Sequence, residues 1–345
     1  MRVCSPENRP ERITDRTAWT AADFPSPDSY RRPLMRDVIA ELESAARAAI
    51  ASGIPPHQVE LQDVKLPLTA KMLEAAYDDV ERGAGFTVLS GLPVDDWGLE
   101  LSRIALCLIG SRFGDISLQN REGEYIVDVM DKSTPLSSQF RGYHSADKLD
   151  FHNDGCNVVA LLCIETAKAG GDSLLLSAST LYNEVSRRRP DLMPALMRGF
   201  RHSRRNQREA HQAPVMEDAT PVFSFIDGTF HNCYSHISIV ASLDQGETHS
   251  PEQKEALAVL EQAMEQPGLV LSMEFRKGDV QLVNNFTLLH SRTAFIDHSP
   301  ERRRHLLRLW LTDPASKYNG PGKMDFYMPQ HSRFLKTRGY GIFSS

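Results

Sequence analysis

No stretch of this chain comes near the roughly 20 consecutive apolar residues that a membrane-spanning helix requires, and the opening Met1-Arg2-Val3-Cys4-Ser5-Pro6 carries no apolar signal core. The address this predicts is the cytoplasm, with no membrane partner. Cysteine is scarce: there are five in 345 residues, without a Cys-x-x-Cys pair, which argues against a disulfide framework or a zinc knuckle and predicts reduced thiols. Positive charge is not concentrated either. The net charge is -6, and Arg187-Arg188-Arg189 and Arg302-Arg303-Arg304 are offset by acids, so the basic stripe of a nucleic-acid face is missing. Internal repeats and low-complexity blocks are absent as well. What remains, 41% hydrophobic and 24% charged residues, is an ordinary globular composition, long enough for one large domain or two ordinary ones.

Residues 1–32 are rich in Pro, Arg, Asp and Ser and read as an irregular N-terminal arm. Residues 33–345 read as a single domain with a helical first part (33–110), a β-rich core (111–312) and a C-terminal tail (313–345). Leu34, Val38, Leu42, Ala45, Ala46 and Ile50 recur at helical spacing up to Gly53. Further helices are predicted over 69–82 and 99–110, with a strand at 86–89 between them. Beyond Gly114 short β-rich runs dominate, Asp227-Gly228 signals a hairpin, and helices are predicted near 179–190 and, capped by Ser250 with Pro251 at its first position, over 251–265. Such a string, with helices mostly in the first half, predicts a mainly β fold with α decoration, two sheets forming a roll flanked by helices.

The most informative stretch is Phe151-His152-Asn153-Asp154-Gly155, at the end of a long polar connection. On extended backbone, residues two apart share a face, so His152 and Asp154 can aim an imidazole and a carboxylate at one point. His290, in Leu288-Leu289-His290, sits where a distant strand can bring in a third ligand. Two His and one carboxylate make the facial triad of non-haem Fe(II) sites, with three coordination positions left open. The competing reading is local: Asn153-Asp154-Gly155 is also good turn chemistry.

A second constellation follows in Arg304-His305-Leu306-Leu307-Arg308-Leu309-Trp310. Alternation puts Arg304, Leu306 and Arg308 on one face, the arginines roughly 13 Å apart at about 3.3 Å per residue. A buried charge costs several kcal/mol unless paired, so inward-facing arginines imply an anion, and this pair could address the two ends of a dicarboxylate. A charged edge strand with both side chains in solvent is the alternative.

Taken together, these motifs resemble the TauD/TfdA-type Fe(II)/2-oxoglutarate-dependent dioxygenases, over about residues 86–311. The resemblance implies a double-stranded β-helix (jelly roll, cupin-like) core. It makes His152, Asp154 and His290 the iron ligands, with 2-oxoglutarate and O2 as cosubstrates. Arg308 would clamp the distal carboxylate of 2-oxoglutarate, Ser173 after Gly170-Gly171-Asp172 would hydrogen-bond the same carboxylate, and Arg304 would lie near the carboxylate bound to iron. The implied activity is an oxidoreductase coupling oxidative decarboxylation of 2-oxoglutarate to hydroxylation of a small molecule. Asp154, where a halogenase would have Ala or Gly, argues against that variant.

Tyr143, His144 and Lys148, in the connection leading to the ligand pair, are candidate substrate contacts. His231 and His236 flank Cys233 but read as structural or substrate-lining, and Asn284 and Asn285 as turn-forming. The aromatic tail, with Tyr318, Phe326, Tyr327, Phe334, Tyr340 and Phe343, suits either closure over the site or packing in a homo-oligomer. Two other functional readings stand beside the oxygenase: a cupin-like metalloenzyme with no use for Arg308, and a catalytically silent β-roll that binds a ligand.

Overall fold

Which way each strand faces is decided by its alternation, and the alternating runs here fold into two sheets with a shared interior. The computed structural model describes residues 4–120, 122–132, 145–208 and 211–318. In chain order its strands are β1 (Arg31–Pro33), β2 (Phe86–Ser90), β3 (Asp115–Ser117), β4 (Ile126–Val129), β5 (Leu149–His152), β6 (Val158–Glu165), β7 (Ala169–Gly170), β8 (Ser173–Ser177), β9 (Phe223–Ile226), β10 (Thr229–Asn232), β11 (Val270–Met273), β12 (Val280–Asn284), β13 (Leu288–Arg292), β14 (Phe295–Ile296) and β15 (His305–Thr312). The helices are α1 (Arg36–Ala51), α2 (Pro67–Glu81), α3 (Val94–Gly110), α4 (Ala178–Arg188), α5 (Met193–Arg198), α6 (His236–Leu243) and α7 (Pro251–Met264).

The larger sheet has the order β1-β2-β12-β6-β15-β3, with β4 also on β15; the smaller is β11-β8-β13-β5. Both are open at their edges, so the roll is a pair of facing sheets rather than a closed barrel. Leu282, Ala160, Leu162, Leu307 and Leu309 point outward from the larger sheet and are buried with residues of α1, α2 and α3 such as Leu42, Leu73 and Ile104. Leu176 and Leu289 do the same on the smaller sheet, against Leu181, Leu196 and Leu260 of α4, α5 and α7. Val159, Val283, Leu175, Leu288 and Trp310 point inward and share a core between the sheets. Each such side chain contributes on the order of 1.5–3 kcal/mol by leaving water, so the two helical layers hold the sheets at a fixed spacing.

Two features differ from the sequence reading. The N-terminal residues do more than lie over the domain: Ile13, Trp19 and Tyr30 are buried, Trp19 Nε1 donates to Ala84 O at 2.8 Å, and β1 pairs in parallel with β2. The first strands of the large sheet therefore come from before residue 111. The helices are also not concentrated in the first half, since α4 to α7 follow β8. Short α5 escaped notice because six residues show too little periodicity, and α6 because His236-Ile237-Ser238-Ile239-Val240 has a β-branched, strand-like composition. Predicted local chemistry is present elsewhere: Asp227 and Gly228 both have positive φ in the β9–β10 turn, and Ser250 with Gln253 forms a capping box on α7.

Candidate metal centre

β5 and β13 run antiparallel with His152 directly opposite His290, and opposite residues of such a pair hold their Cβ atoms about 5 Å apart. The two rings lie 4.5 Å apart, inclined at 58°. Asp154 comes two residues after His152, past the end of β5, and its place is fixed by a turn. Asn153 donates from Nδ2 to Asn285 O at 2.8 Å and Leu288 O at 2.6 Å, and its Oδ1 accepts from Tyr234 N at 2.7 Å. Asp154 N donates to Asn285 Oδ1 at 3.0 Å, and Phe286 N to Asn284 Oδ1 at 2.9 Å. Asn284 and Asn285 thus organise the turn that launches β13 and bind it to the ligand turn. One ligand atom each from His152, Asp154 and His290 then lie within 4.8 Å of one another.

The protonation states of this cluster suit a cation. Burial pushes the Asp154 carboxyl up, but Arg308, then His290 and His152, and the Trp310 hydrogen bond outweigh it and hold the group at about 2. Burial, then His152, pushes His290 down to about 3, so its ring is neutral near pH 7 with a lone pair to offer. His152 Nδ1 lies 2.8 Å from Asp150 O, which assigns its proton to Nδ1 and leaves Nε2 for a ligand. Two imidazoles and one carboxylate, convergent and largely shielded from water, fit a divalent transition metal.

Trp310 and Gln119 complete the surroundings. Trp310 Nε1 donates to Asp154 Oδ2 at 3.0 Å, and Arg308 Nη1 approaches the same oxygen at 3.5 Å. Gln119, fully buried, accepts from Arg308 Nε at 2.8 Å and donates to Arg308 O at 2.8 Å and Tyr125 O at 2.9 Å. Sequence reasoning missed both residues. Trp310 was recoverable, being two residues past Arg308 on the same face; nothing in the sequence marks Gln119. Trp310→Phe should keep the ring packing while removing the donor, weakening iron affinity about 10-fold or more, as loss of a ligand's outer hydrogen bond does. Iron titration of the variant checks this; an unchanged affinity would show that Trp310 only packs.

Arg308 lies on β15 and Arg304 immediately before it; β15 pairs with β6 along one side and with β3 and β4 along the other, so the edge-strand reading is excluded. Arg308 is 7% and Arg304 4% exposed. Their places are opposite to those anticipated. Arg308 is the one at the candidate ligands, through Asp154. Arg304 lies toward the other end of the interior, where its Nη2 donates to Gly171 O at 3.1 Å and its guanidinium stands 5.2 Å from the Phe295 ring centroid. Ser173, two residues from Gly171, belongs to the Arg304 end, with Oγ donating to Gln281 Oε1 at 3.0 Å. The reason is strand direction: β15 runs from Arg304 toward the metal cluster, so its first arginine is the remote one. Burial lowers Arg304 to about 10, and no carboxylate among the described residues forms an ion pair with it. A buried guanidinium beside a serine and the unpartnered Nε2 of Gln281 fits a carboxylate from outside the protein.

The remaining candidates scatter. Lys148 is exposed just before β5, while Tyr143 and His144 lie outside the described residues. His231 and His236 do not converge: His231 packs edge-on to Phe286 and Tyr318, and His236 pairs with Glu261 at the start of α6. Tyr318 stacks on Phe286; the rest of the aromatic tail lies outside the described residues.

The chain is similar to known proteins over most of its length. The family model described as "Taurine catabolism dioxygenase TauD, TfdA family" matches residues 15–310. An FR-33289 synthase of Streptomyces rubellomurinus is 26% identical over 87% of the chain and 90% of its own length. A taurine hydroxylase-like protein of Stachybotrys chartarum is 26% identical over 90% of the chain and 82% of its own length. Among solved structures, an asparagine oxygenase in complex with Fe(II), 3-hydroxyasparagine and succinate superposes with a TM-score of 0.66 at 20% identity, covering 84% of this chain and 98% of that one.

Proposed function

The chain belongs to the taurine catabolism dioxygenase TauD, TfdA family, and on that premise we propose that His152, Asp154 and His290 hold its iron while Arg304 and Ser173 receive the distal carboxylate of its cosubstrate. It is a non-haem Fe(II)/2-oxoglutarate-dependent oxygenase that couples decarboxylation of 2-oxoglutarate to C–H oxidation, by hydroxylation, of a small molecule. The single observation that carries the residue assignment is the convergence of one carboxylate and two imidazoles within 4.8 Å beside a buried arginine pair.

What iron and 2-oxoglutarate supply, when bound, is the decarboxylation-coupled activation of dioxygen. The chain's own residues prepare for it. Arg308 and Trp310 keep Asp154 ionised and aimed at the metal position, and Gln119 holds Arg308 in place from both sides of its guanidinium and backbone. Arg304 and Ser173 orient the cosubstrate by its far end, as bidentate, charge-assisted pairing to a carboxylate favours. The apolar lining of Val159, Val283, Leu175 and Trp310 keeps water from the interior and strengthens each of these contacts. Lys148, exposed at the entry to β5, contacts substrate in this reading. The N-terminal residues that supply β1 and part of the core belong to the same catalytic domain as the helices and sheets that follow. Among the described residues no helix is long and apolar enough to cross a membrane.

The test is anaerobic. Fe(II) and then 2-oxoglutarate, added to purified apoprotein, should produce the weak visible charge-transfer band of a chelated 2-oxo acid. Iron binding without a band would favour a cupin-like metalloenzyme that does not use 2-oxoglutarate. Failure to bind iron at all would leave a catalytically silent binding protein.

A further inference from the structure

Arg292 is the residue that neither the metal cluster nor the Arg304 and Arg308 pair accounts for. It lies two positions beyond His290 on β13, facing the same interior, and is 5% exposed. Its register partner on β8 is Ser173. The guanidinium has two kinds of surroundings. Nη2 donates to Ser145 O at 2.7 Å and also to Asp147 O, the backbone that leads into β5 and His152. Nε and Nη1 are buried with no hydrogen-bond partner, and no carboxylate among the described residues forms an ion pair with them. Asp131 and Asp147 act on its charge only from beyond pairing distance.

Phe295 lies between two cations: the Arg292 guanidinium is 4.7 Å from its ring centroid and the Arg304 guanidinium 5.2 Å. One aromatic face offsets a buried cation by only about 1–2 kcal/mol, against several kcal/mol for taking each charge out of water. Gln281 Nε2, on the neighbouring side of Ser173, also lacks a partner. Three unused N–H groups, two cations and a hydroxyl gathered in one dry region, with no acid paired to them, define a receptor for an anion carrying more than one acceptor oxygen.

We propose that Arg292 is a second cation of the cosubstrate pocket, touching the distal carboxylate of 2-oxoglutarate together with Arg304, and that its hold on Ser145 and Asp147 makes the lead-in to the iron-ligand strand depend on that carboxylate. This rests on the 2-oxoglutarate reading given above. A cosubstrate without the distal carboxylate leaves Nε and Nη1 unsatisfied, and the guanidinium is then poorly fixed for its backbone contacts. With the carboxylate present, one side chain is pinned at both ends. Arg292 is therefore a binding residue for the cosubstrate and a positioning residue for residues 145–147.

The experiment compares 2-oxoglutarate with 2-oxovalerate, which has the same chain length but ends in a methyl group. Affinities are read from the charge-transfer band of the anaerobic iron protein. Arg292→Gln should weaken 2-oxoglutarate about 10- to 100-fold, the span of a lost charge-assisted hydrogen bond, and leave 2-oxovalerate within about twofold of wild type. Arg292→Lys should recover part of the loss. Equal weakening of both acids, or no weakening of either, would assign Arg292 to propping up residues 145–147 alone. A measurement on wild type protects the test against a variant that does not fold: amide exchange at residues 145–148 should slow with 2-oxoglutarate and not with 2-oxovalerate. The same slowing with both acids overturns the coupling. If wild-type protein gives no band with either acid, the 2-oxoglutarate reading itself falls, and this inference with it.

Discussion

Asp154→Ala should leave a protein that no longer retains iron and no longer turns over, and it should also be the less stable protein. The carboxylate is one of three candidate ligands, and it is the only acidic one, so its loss removes the charge that two imidazoles cannot replace. It is equally the acceptor for Trp310 Nε1 and the anionic neighbour of Arg308. Removing one member of a buried ion pair leaves the other's charge less compensated, and together with the acceptor lost to Trp310 this should cost about 3–5 kcal/mol. Asp154→Asn separates the two effects, because it keeps shape and an acceptor oxygen while removing the charge. The asparagine variant should unfold closer to wild type and still lose iron affinity by at least about 10²-fold, as expected when a ligand is lost outright rather than its outer-shell support. Metal analysis after gel filtration, with thermal unfolding of the same samples, reads both quantities. Iron retained at full occupancy in Asp154→Ala would remove Asp154 from the ligand set.

Arg304→Ala and Arg308→Ala should fail in different ways. Arg304, remote from the ligands and beside Ser173, answers in our assignment for the distal carboxylate. Its loss should raise the KM for 2-oxoglutarate by roughly 10- to 150-fold, equivalent to about 1.5–3 kcal/mol of charge-assisted hydrogen bonding, with a smaller change in kcat at saturation. Arg308 touches the carboxylate of a candidate ligand, so its loss should appear in iron affinity and kcat instead. Arg304→Lys should recover little, since an ammonium cannot make the paired contacts of a planar guanidinium. Steady-state kinetics over a 2-oxoglutarate series, with iron held saturating, distinguishes the two. The opposite pattern, with the KM effect at Arg308, would restore the division of roles that the family resemblance implied.

That reversal marks where the sequence ceased to be sufficient. Alternation was enough to put Arg304, Leu306 and Arg308 on one face, because strand periodicity is a local property of the chain. Which end of that face meets Asp154 depends on the direction in which β15 crosses the roll, and direction is a property of the whole sheet. Arg292 was obscured for a related reason. An arginine near a strand end usually points to water, and only its register opposite Ser173 and its neighbours from residues 145–147 reveal a buried cation. Gln119 comes from a part of the chain with no motif at all, and its two-sided hold on Arg308 exists only because β15 passes beside it.

By itself the sequence determined the candidate ligands, their order and their shared face, the mainly β class and the principal helices, since each depends on side-chain chemistry and on periods of two or 3.6 residues. The tertiary structure alone decided that His152 faces His290 across one antiparallel pair, that Arg308 lies beside Asp154 and Arg304 toward the other end of the interior, and that the N-terminal residues supply β1 and part of the core. These are matters of register, strand direction and packing between segments distant in the chain, and they are settled by the burial of both helical layers against the two sheets, a condition no short stretch of sequence can express.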